Sequence, residues 1–487
     1  MESPVLSAAV AFAATLLAPT YPESETAGVR GEGTLADRYR PAAERIIRET
    51  LAGNDAWDKL ETLCLTVGHR LSGSEGLARA VEWAISTMTR DGQENVRGEK
   101  VMVPHWVRGE ESLTMLSPLR ESLPMLGLGG SVGTPPDGIT AAVVVVEDEE
   151  GLDRVGDAVR GKIVLFNKIM PPYDAARGAG YGETVHYRSH GARLAARYGA
   201  VAALVRSVTA RSLHTPHTGA MRYGDAETRI PAAAITVEDA ERFARLQRRG
   251  TEVVINLKMG AQTLPDVESA NVIGELRGRE RPDEMVVIGG HLDSWDVGQG
   301  AHDDGGGCVI AMEAIRVLRK LDLIPRRTIR VVLFTNEENG LRGGKAYAAD
   351  HAAELERHVA AIESDGGVFA PRGYSLECAD GEREALAARQ LEDIVRLLAS
   401  LGANKVTVGG SGADIGPMKE AGVVLLGHQV EGSTYFDVHH TPADTIDKVD
   451  PTELSQNVAA LATMAYVLAD MPGRLGEPIR PAPKGSD

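Results

Sequence analysis

The chain has 487 residues, of which 43% are hydrophobic and 25% are charged, a composition typical of a folded globular protein with more than one domain. Its formal net charge of -17 argues against nucleic acid as a partner, because affinity for the phosphate backbone comes largely from Lys and Arg. Three cysteines without a CxxC pair are too few for a disulfide framework.

The N-terminal segment, residues 1–25, contains an apolar run from Leu6 to Pro19. This run has the length of a signal-peptide core but is too short to span a membrane. Glu2 stands where such a leader normally carries Lys or Arg. We predict an exported protein, secreted or periplasmic, without a membrane span. The alternative is a cytoplasmic protein with an unstructured N-terminus.

Residues 26–122 begin the first domain, with helical spacing of apolar residues between Thr34 and Arg90. From about Leu123 to Gln262, short β-branched runs such as AAVVVVED and KIVLFNK alternate with helical patterns. This alternation predicts a smaller α/β domain, residues 123–262, inserted into the first domain.

Residues 263–475 continue the first domain, with strands and helices at the spacing of parallel βαβ units. The predicted strands are NVIGEL, MVVIGG, TIRVVLF, HVAAIES, VTVG and GVVLLG, and the predicted helices are Gly305 to Leu321, Gly343 to Glu356, Ala385 to Leu401 and Pro451 to Leu468. Runs such as VVLF are apolar throughout, as in strands covered on both faces. We predict a doubly wound, three-layer α/β fold with a mostly parallel sheet, followed by a loose tail over residues 476–487.

Candidate metal ligands follow the predicted strands. His291 ends one strand, and Glu338 and Asp365 follow the next two, whereas Asp303 opens the DDGGG turn and His440 lies in a late loop. In an open parallel sheet, ligands bind beyond the carboxyl ends of the strands. Two imidazoles and three carboxylates suit zinc, although cobalt or manganese could use the same ligands. Two ions that share Asp303 and a water molecule would form a hydrolytic centre.

Neighbouring residues complete the predicted site. Glu337 could accept a proton from water and return it to a leaving amine. Asp293 could accept a hydrogen bond from His291 and fix its tautomer, and Tyr435 could stabilise an oxyanion. Each motif alone has an ordinary structural interpretation, such as a helix N-cap at Asp303, and their joint occurrence favours the metal site.

Motifs for other chemistry are missing from the sequence. It contains no GxSxG elbow, since GGSGA around Ser411 lacks the last glycine, and no HExxH, GxxxxGK[ST] or GxGxxG match. Serine hydrolysis and nucleotide binding are therefore disfavoured.

Six segments resemble motifs of the di-zinc exopeptidase family that includes leucyl aminopeptidases and glutamate carboxypeptidases, most closely its plasma glutamate carboxypeptidase branch. They are GGHLDSWDVGQGAHDDGGG, TNEENG, ESDGG, HHTPADT, HRLSGSEG and TPHTG. The resemblance implies two zinc ions, one held by His291 and Asp365 and the other by Glu338 and His440. It also implies that Asp303 bridges the two ions and that Glu337 is the general base.

The same resemblance implies further features. It selects His440 rather than His439 as the ligand, makes residues 123–262 a protease-associated domain, and implies a cis peptide bond between Asp303 and Asp304. His302 departs from the family pattern, which has Met or another non-basic residue there, so this imidazole could modulate the pKa of the water.

We therefore expect a metal-dependent exopeptidase that hydrolyses dipeptides or short peptides with a free terminus, and we expect a homodimer. An aminopeptidase of the same family is the alternative. A one-zinc acyltransferase of the glutaminyl-cyclase type is a further alternative, which metal stoichiometry would distinguish. A non-catalytic, receptor-like ectodomain is another, which the complete ligand set disfavours.

Overall fold

The computed structural model describes residues 34–175, 177–211 and 213–478. The predicted leader and most of the predicted tail lie outside the described residues. The strands are β1 (Glu94–Val107), β2 (Glu111–Ser117), β3 (Glu121–Leu123), β4 (Met125–Gly127), β5 (Ile139–Val146), β6 (Ile163–Phe166), β7 (Ala202–Arg206), β8 (Ala232–Ile235), β9 (Val254–Met259), β10 (Gln262–Leu276), β11 (Arg281–His291), β12 (Arg327–Phe334), β13 (His358–Glu363), β14 (Pro371–Glu377), β15 (Lys405–Val408) and β16 (Val424–Val430).

The helices occupy the segments between these strands and flank them. They are α1 (Leu35–Ala52), α2 (Ala56–Thr62), α3 (Glu75–Arg90), α4 (Glu149–Val155), α5 (Tyr181–Ala196), α6 (Val237–Arg248), α7 (Gly306–Lys320), α8 (Arg342–Asp350), α9 (Gly381–Ile394), α10 (Tyr435–Val438) and α11 (Pro451–Asp470). None of the helices in the described ranges is long and apolar enough to cross a membrane.

The strands form two 8-stranded sheets, and the first has the order β1-β10-β12-β11-β13-β16-β14-β15. Its central strands β12, β11, β13 and β16 are parallel, as the sequence predicts. The parallel prediction is wrong for β10, which runs antiparallel to both β1 and β12. The reason is connectivity, because only residues 277–280 connect β10 to β11, which leaves no room for the helical crossover that a parallel arrangement requires.

Helices cover both faces of this sheet. On one face, Val286 and Ile288 of β11 belong to an apolar cluster with residues of α1, α7 and α11. On the other face, the intervening Val287 packs in a cluster with Tyr347 of α8 and Met418. Because successive side chains of a strand point to opposite faces, a wholly apolar run such as MVVI is the pattern of a strand buried on both sides.

Two strands of the first sheet were not predicted from the sequence, namely β1 at one edge and β14, which lies between β16 and β15. β1 has the sequence ENVRGEKVMVPHWV, in which charges interrupt the apolar residues, and most of its residues are exposed or half-buried. β14 begins at Pro371 and contains Gly373, both of which are unusual inside a strand. β1 is an edge strand with few buried residues, so its composition gives a weak signal.

The second sheet has the order β3-β2-β9-β5-β6-β7-β8-β4, and we call residues 111–259, which supply its strands, the second-sheet unit. The sheet has a separate apolar cluster on each face, one containing Leu165 and Phe243 and the other containing Phe166 and Val205. The unit begins at β2, upstream of the predicted domain boundary at residue 123. Its N-terminal strands β2 and β3 are antiparallel, a pairing that the alternating α/β pattern does not reveal.

A buried cation, Lys59, joins α2 to neighbouring helices. Its Nζ lies 2.5 Å from Glu313 Oε2 and 2.6 Å from Asp91 Oδ2. Replacing Lys59 with methionine should lower the free energy of unfolding by about 3–5 kcal/mol, because the buried carboxylate of Asp91 loses its cation while Glu313 keeps only Arg316. Chemical denaturation of the two proteins measures this difference.

Lys100 provides the matched control, because its ion pair with Glu268 is largely exposed. The Lys100→Met change should cost at most about 1 kcal/mol. Equal denaturation midpoints for the two variants would show that the buried lysine has no special structural role.

Candidate metal centre

The five predicted ligands come together at one edge of the first sheet. His291 ends β11, Glu338 follows β12 and Asp365 follows β13. Asp303 lies in the irregular turn before α7, and His440 lies just after α10. Because β12, β11 and β13 are parallel neighbours, their carboxyl ends bring these side chains to the same place.

The carboxylate of Asp303 lies between two groups of ligands. Its Oδ1 is 3.2 Å from His291 Nε2, which is also 3.4 Å from Asp365 Oδ1. Its Oδ2 is 3.2 Å from His440 Nε2, which is also 3.1 Å from Glu338 Oε2. Each oxygen of one carboxylate therefore faces a different histidine and a different acid.

Several nitrogen and oxygen atoms of the candidate ligands have no hydrogen-bond partner among the described residues. They are His291 Nε2, Asp303 Oδ2 and Glu338 Oε1, all of them buried. Buried polar atoms are normally hydrogen-bonded, so unpaired ones require an explanation such as an ion. Nitrogen and carboxylate oxygen donors facing one another fit divalent metal ions.

Two further carboxylates hold the turn that carries Asp303. Asp444 accepts hydrogen bonds from the backbone N–H groups of His302 at 2.8 Å and of Asp303 at 3.2 Å. Asp304 accepts from the backbone N–H of His291 at 3.0 Å. The peptide bond between Asp303 and Asp304 is cis, as the family resemblance implies. The hydrogen bonds to Asp444 thus fix the backbone that carries the Asp303 carboxylate.

Asp293 contacts His291 through its backbone carbonyl and not through its carboxylate. The Nδ1 of His291 donates to the backbone carbonyl of Asp293 at 3.0 Å, whereas the nearest carboxylate oxygen is 3.8 Å away. The carboxylate instead accepts from the backbone N–H groups of Glu337 at 3.0 Å and Glu338 at 3.3 Å. Asp293 therefore fixes the turn after β12 with its side chain and the tautomer of His291 with its main chain.

The electrostatics of the cluster reflect crowded acids. Burial opposes charge on His440, but the carboxylates of Glu338 and Asp303 outweigh burial and raise its pKa to about 10. Burial raises the pKa of Glu338 to about 7 and raises the pKa of Glu337 well above its ordinary value. The buried carboxylates thus repel one another, and a divalent cation would offset that repulsion.

Four of the five candidate ligands, all except His291, line a cavity of about 430 Å³ between the first sheet and the second-sheet unit. Glu337, Glu338 and Asp365 line one side of it, and Arg188 and Arg222 of the second-sheet unit line another. This volume is in the range of small-molecule sites.

Arg188 is a functional candidate that the sequence did not reveal. It is only 7% exposed, and its Nε is buried without a hydrogen-bond partner. Its Nη1 donates to the Tyr181 hydroxyl at 2.7 Å and lies 3.4 Å from His440 Nδ1. No carboxylate of the described residues lies within ion-pair distance of its guanidinium. Nothing in the pattern of α5 distinguishes this arginine from its neighbours.

The two histidines beside ligands are packed differently. His439 stacks on His440 with ring centroids 3.5 Å apart, and its Nε2 is 3.7 Å from Asp303 Oδ2. His302 stacks on Phe369 at 4.5 Å, and burial lowers its pKa to about 4. His302 is therefore a neutral packing residue on the side of the turn that faces Phe369.

Comparison with known sequences identifies the family. The sequence profile of peptidase family M28 matches residues 271–465, which contain all five candidate ligands. Carboxypeptidase Q of Mus musculus is 43% identical over 436 residues, which cover 89% of this chain and 90% of that protein.

Solved structures agree with this relationship. The crystal structure of a peptidase M28 precursor from Shewanella amazonensis SB2B is 38% identical, covers 92% of this chain and 100% of its own, and superposes with a TM-score of 0.85. A zinc aminopeptidase from Bacillus subtilis, 21% identical, covers 87% of this chain and 98% of its own with a TM-score of 0.62, and so shares the fold. The chain therefore belongs to peptidase family M28 and is a metal-dependent exopeptidase.

Proposed function

We propose that the protein hydrolyses dipeptides or short peptides with two divalent cations. His291 and Asp365 would hold one, and Glu338 and His440 the other, with Asp303 shared. The observation that carries this proposal is the position of the Asp303 oxygens, each 3.2 Å from a different histidine. Zinc suits these donors best, and cobalt or manganese are alternatives. When bound, the cations would polarise the scissile carbonyl and lower the pKa of water.

Glu337 is the proposed general base. Its carboxyl lines the cavity beside Glu338 and Asp365, and the hydrogen bond from its backbone to Asp293 fixes its main chain. Because burial raises its pKa, its carboxylate binds a proton more readily than an exposed glutamate does. It can therefore accept a proton from water and deliver it to the leaving amine.

Tyr435 is the proposed donor to the oxyanion that forms at the scissile carbonyl. It lines the cavity, and its ring lies 5.0 Å from that of His439. Burial and the nearby carboxylates of Asp303 and Asp365 raise the pKa of its phenol well above the ordinary value. The hydroxyl thus keeps its proton and can donate a hydrogen bond to developing negative charge.

Arg188 supports a free carboxyl terminus, rather than a free amine, as the end of the peptide that the cavity recognises. A buried guanidinium without a counter-ion is costly, and pairing with an anion offsets that cost. Arginine also binds carboxylates through two parallel hydrogen bonds. His440 Nδ1 donates to the Thr218 carbonyl 3.3 Å away and therefore does not accept a hydrogen bond from Arg188. The Arg188 N–H groups that face His440 remain available for a substrate carboxylate.

A dipeptide with free, N-acetylated or C-amidated termini tests this proposal together with Arg188→Met. We expect C-amidation to raise KM about 10- to 100-fold, the range for a hydrogen bond to a charged group. The Arg188→Met variant should raise KM for the free dipeptide by a similar factor and leave KM for the amide unchanged. Steady-state kinetics with the three substrates measures both effects.

Arg222→Met is the matched control, because Arg222 lines the same cavity but is exposed. It should change KM for the free dipeptide much less than Arg188→Met does. If N-acetylation abolishes hydrolysis while C-amidation has no effect, the enzyme is an aminopeptidase and the role of Arg188 is wrong.

We further propose that the second-sheet unit is a protease-associated domain that caps the cavity. In its support, residues of α5 and of the loop around Arg222 line the cavity opposite the ligands. Export and homodimer formation stay predictions, which N-terminal sequencing of the mature protein and light scattering can test.

A further inference from the structure

We propose that the second-sheet unit assembles one of the two cation positions, because His217 and Thr218 hold the ligand His440. This inference rests on the two-cation site proposed above. It adds two positioning residues, neither of which touches a substrate or an ion, and it makes the second-sheet unit part of the metal centre in addition to a cap.

His217 holds the backbone beside the ligand. Its Nδ1 lies 2.8 Å from the carbonyl oxygen of His439, and since a carbonyl only accepts, Nδ1 must carry the hydrogen. Its own backbone N–H donates to Ser207 Oγ at 2.8 Å. The side chain is buried, and burial lowers its pKa to about 3, so the imidazole is a neutral, fixed donor at working pH.

Thr218 holds the ligand itself from both sides. Its backbone N–H donates to the carbonyl of His440 at 3.0 Å, and its carbonyl oxygen lies 3.3 Å from His440 Nδ1. A hydrogen bond from Nδ1 to this carbonyl leaves Nε2 with its lone pair facing Asp303 and Glu338. That is the tautomer a metal-binding histidine needs, and such outer contacts typically set it.

The backbone of His440 itself requires such contacts. Its φ is 61°, in the left-handed region that residues with a side chain rarely adopt. A conformation of this kind persists where surrounding contacts over-determine it. The two hydrogen bonds to Thr218 supply them.

The loop that carries His217 and Thr218 is anchored within its own unit and to the first sheet. Thr218 Oγ1 donates to the carbonyl of Gly127 at 2.7 Å. Arg108 Nη1 donates to the same carbonyl at 2.5 Å, and its Nη2 reaches Asp296 Oδ1 of the first-sheet domain at 2.5 Å. The position of the loop therefore depends on how the two parts of the chain dock.

The hydrogen bonds of His291, at the other cation position, do not involve the second-sheet unit. His291 Nδ1 donates to Asp293 two residues further along the chain, and Asp365 follows β13 of the same sheet. A change at the second-sheet unit should therefore weaken one position and spare the other.

Metal binding by the full-length variants His217→Leu and His217→Asn tests this inference. Leucine removes the donor, whereas the asparagine amide places an N–H close to the position of Nδ1. In buffered zinc, the unchanged protein should bind two ions, and His217→Leu should bind one as tightly and the other about 10- to 100-fold more weakly. His217→Asn should restore the second affinity. Zinc titration with mass-spectrometric metal analysis measures both steps.

Three further variants make the result decisive. His440→Ala identifies which binding step belongs to the cation position that His440 helps to form. The ring of His214 faces Asp239, so His214→Ala should leave both steps unchanged. Thr218→Val removes the hydrogen bond to Gly127 and should weaken the same binding step, so it provides the test if His217→Leu does not fold. Unchanged affinities in His217→Leu, or equal weakening of both steps, would overturn the inference. Fewer than two ions in the unchanged protein would instead contradict the proposed two-cation site.

Discussion

Replacing Glu337 with glutamine should lower kcat by about 10²- to 10⁴-fold, the usual contribution of a positioned general base, while two metal ions stay bound. Glutamine has the same shape as glutamate, and the hydrogen bond from the residue 337 backbone to Asp293 does not involve the side chain. The five ligand side chains are unchanged. The variant should therefore lose proton transfer and keep the centre, which kcat measurements beside metal analysis can show.

The adjacent residue provides the matched comparison. Glu338→Gln is the same chemical change one position along the chain, but the carboxylate it removes lies 3.1 Å from His440 Nε2. We expect this variant to lose metal as well as activity. If Glu337→Gln instead lost metal, Glu337 would be a ligand, and if it kept full activity, another group would be the base.

The metal cluster could be predicted from the sequence because its ligands stand where apolar runs end. MVVIGG stops at His291, and VVLF stops shortly before Glu338. The spacing of βαβ units indicates parallel neighbours, and parallel neighbours end at the same edge. Residues that are far apart in the chain were thus expected together, and the structure places them within 3.4 Å of one another in pairs.

The acceptor of an individual hydrogen bond could not be predicted in the same way. His291 Nδ1 contacts the carbonyl and not the carboxylate of Asp293. Both acceptors belong to one residue, so no sequence pattern distinguishes them. The choice follows from the backbone amides of Glu337 and Glu338, which already occupy the carboxylate.

Contacts between the two sheets were also beyond sequence reasoning. Arg188 and His440 are 252 residues apart, and periodicity within α5 says nothing about which distant loop it faces. The start of the second-sheet unit was missed for a related reason. β2 is an amphipathic strand paired antiparallel with β3 and β9, whereas the predicted boundary relied on wholly apolar runs.

Replacing Asp303 with alanine should weaken the affinity of both metal-binding steps. Each loss should exceed the change of about 10- to 100-fold that follows the loss of a residue hydrogen-bonded to a ligand. The reason is that its two oxygens each face a different histidine. The Asp365→Ala and Glu338→Ala variants should each weaken only one step. Zinc titration of the three variants distinguishes a shared ligand from a ligand of one ion.

Asparagine at position 303 sharpens the argument. Its amide offers one oxygen as a ligand, while its NH₂ group cannot bind a cation. Asp303→Asn should therefore retain one step and lose the other, a result intermediate between the unchanged protein and Asp303→Ala. Asp437→Ala is the control, because this nearby acid pairs with Arg211 at 2.6 Å and should leave both steps unchanged. If Asp303→Ala weakened only one step, the two positions would not share this carboxylate, and the bridging assignment would be wrong.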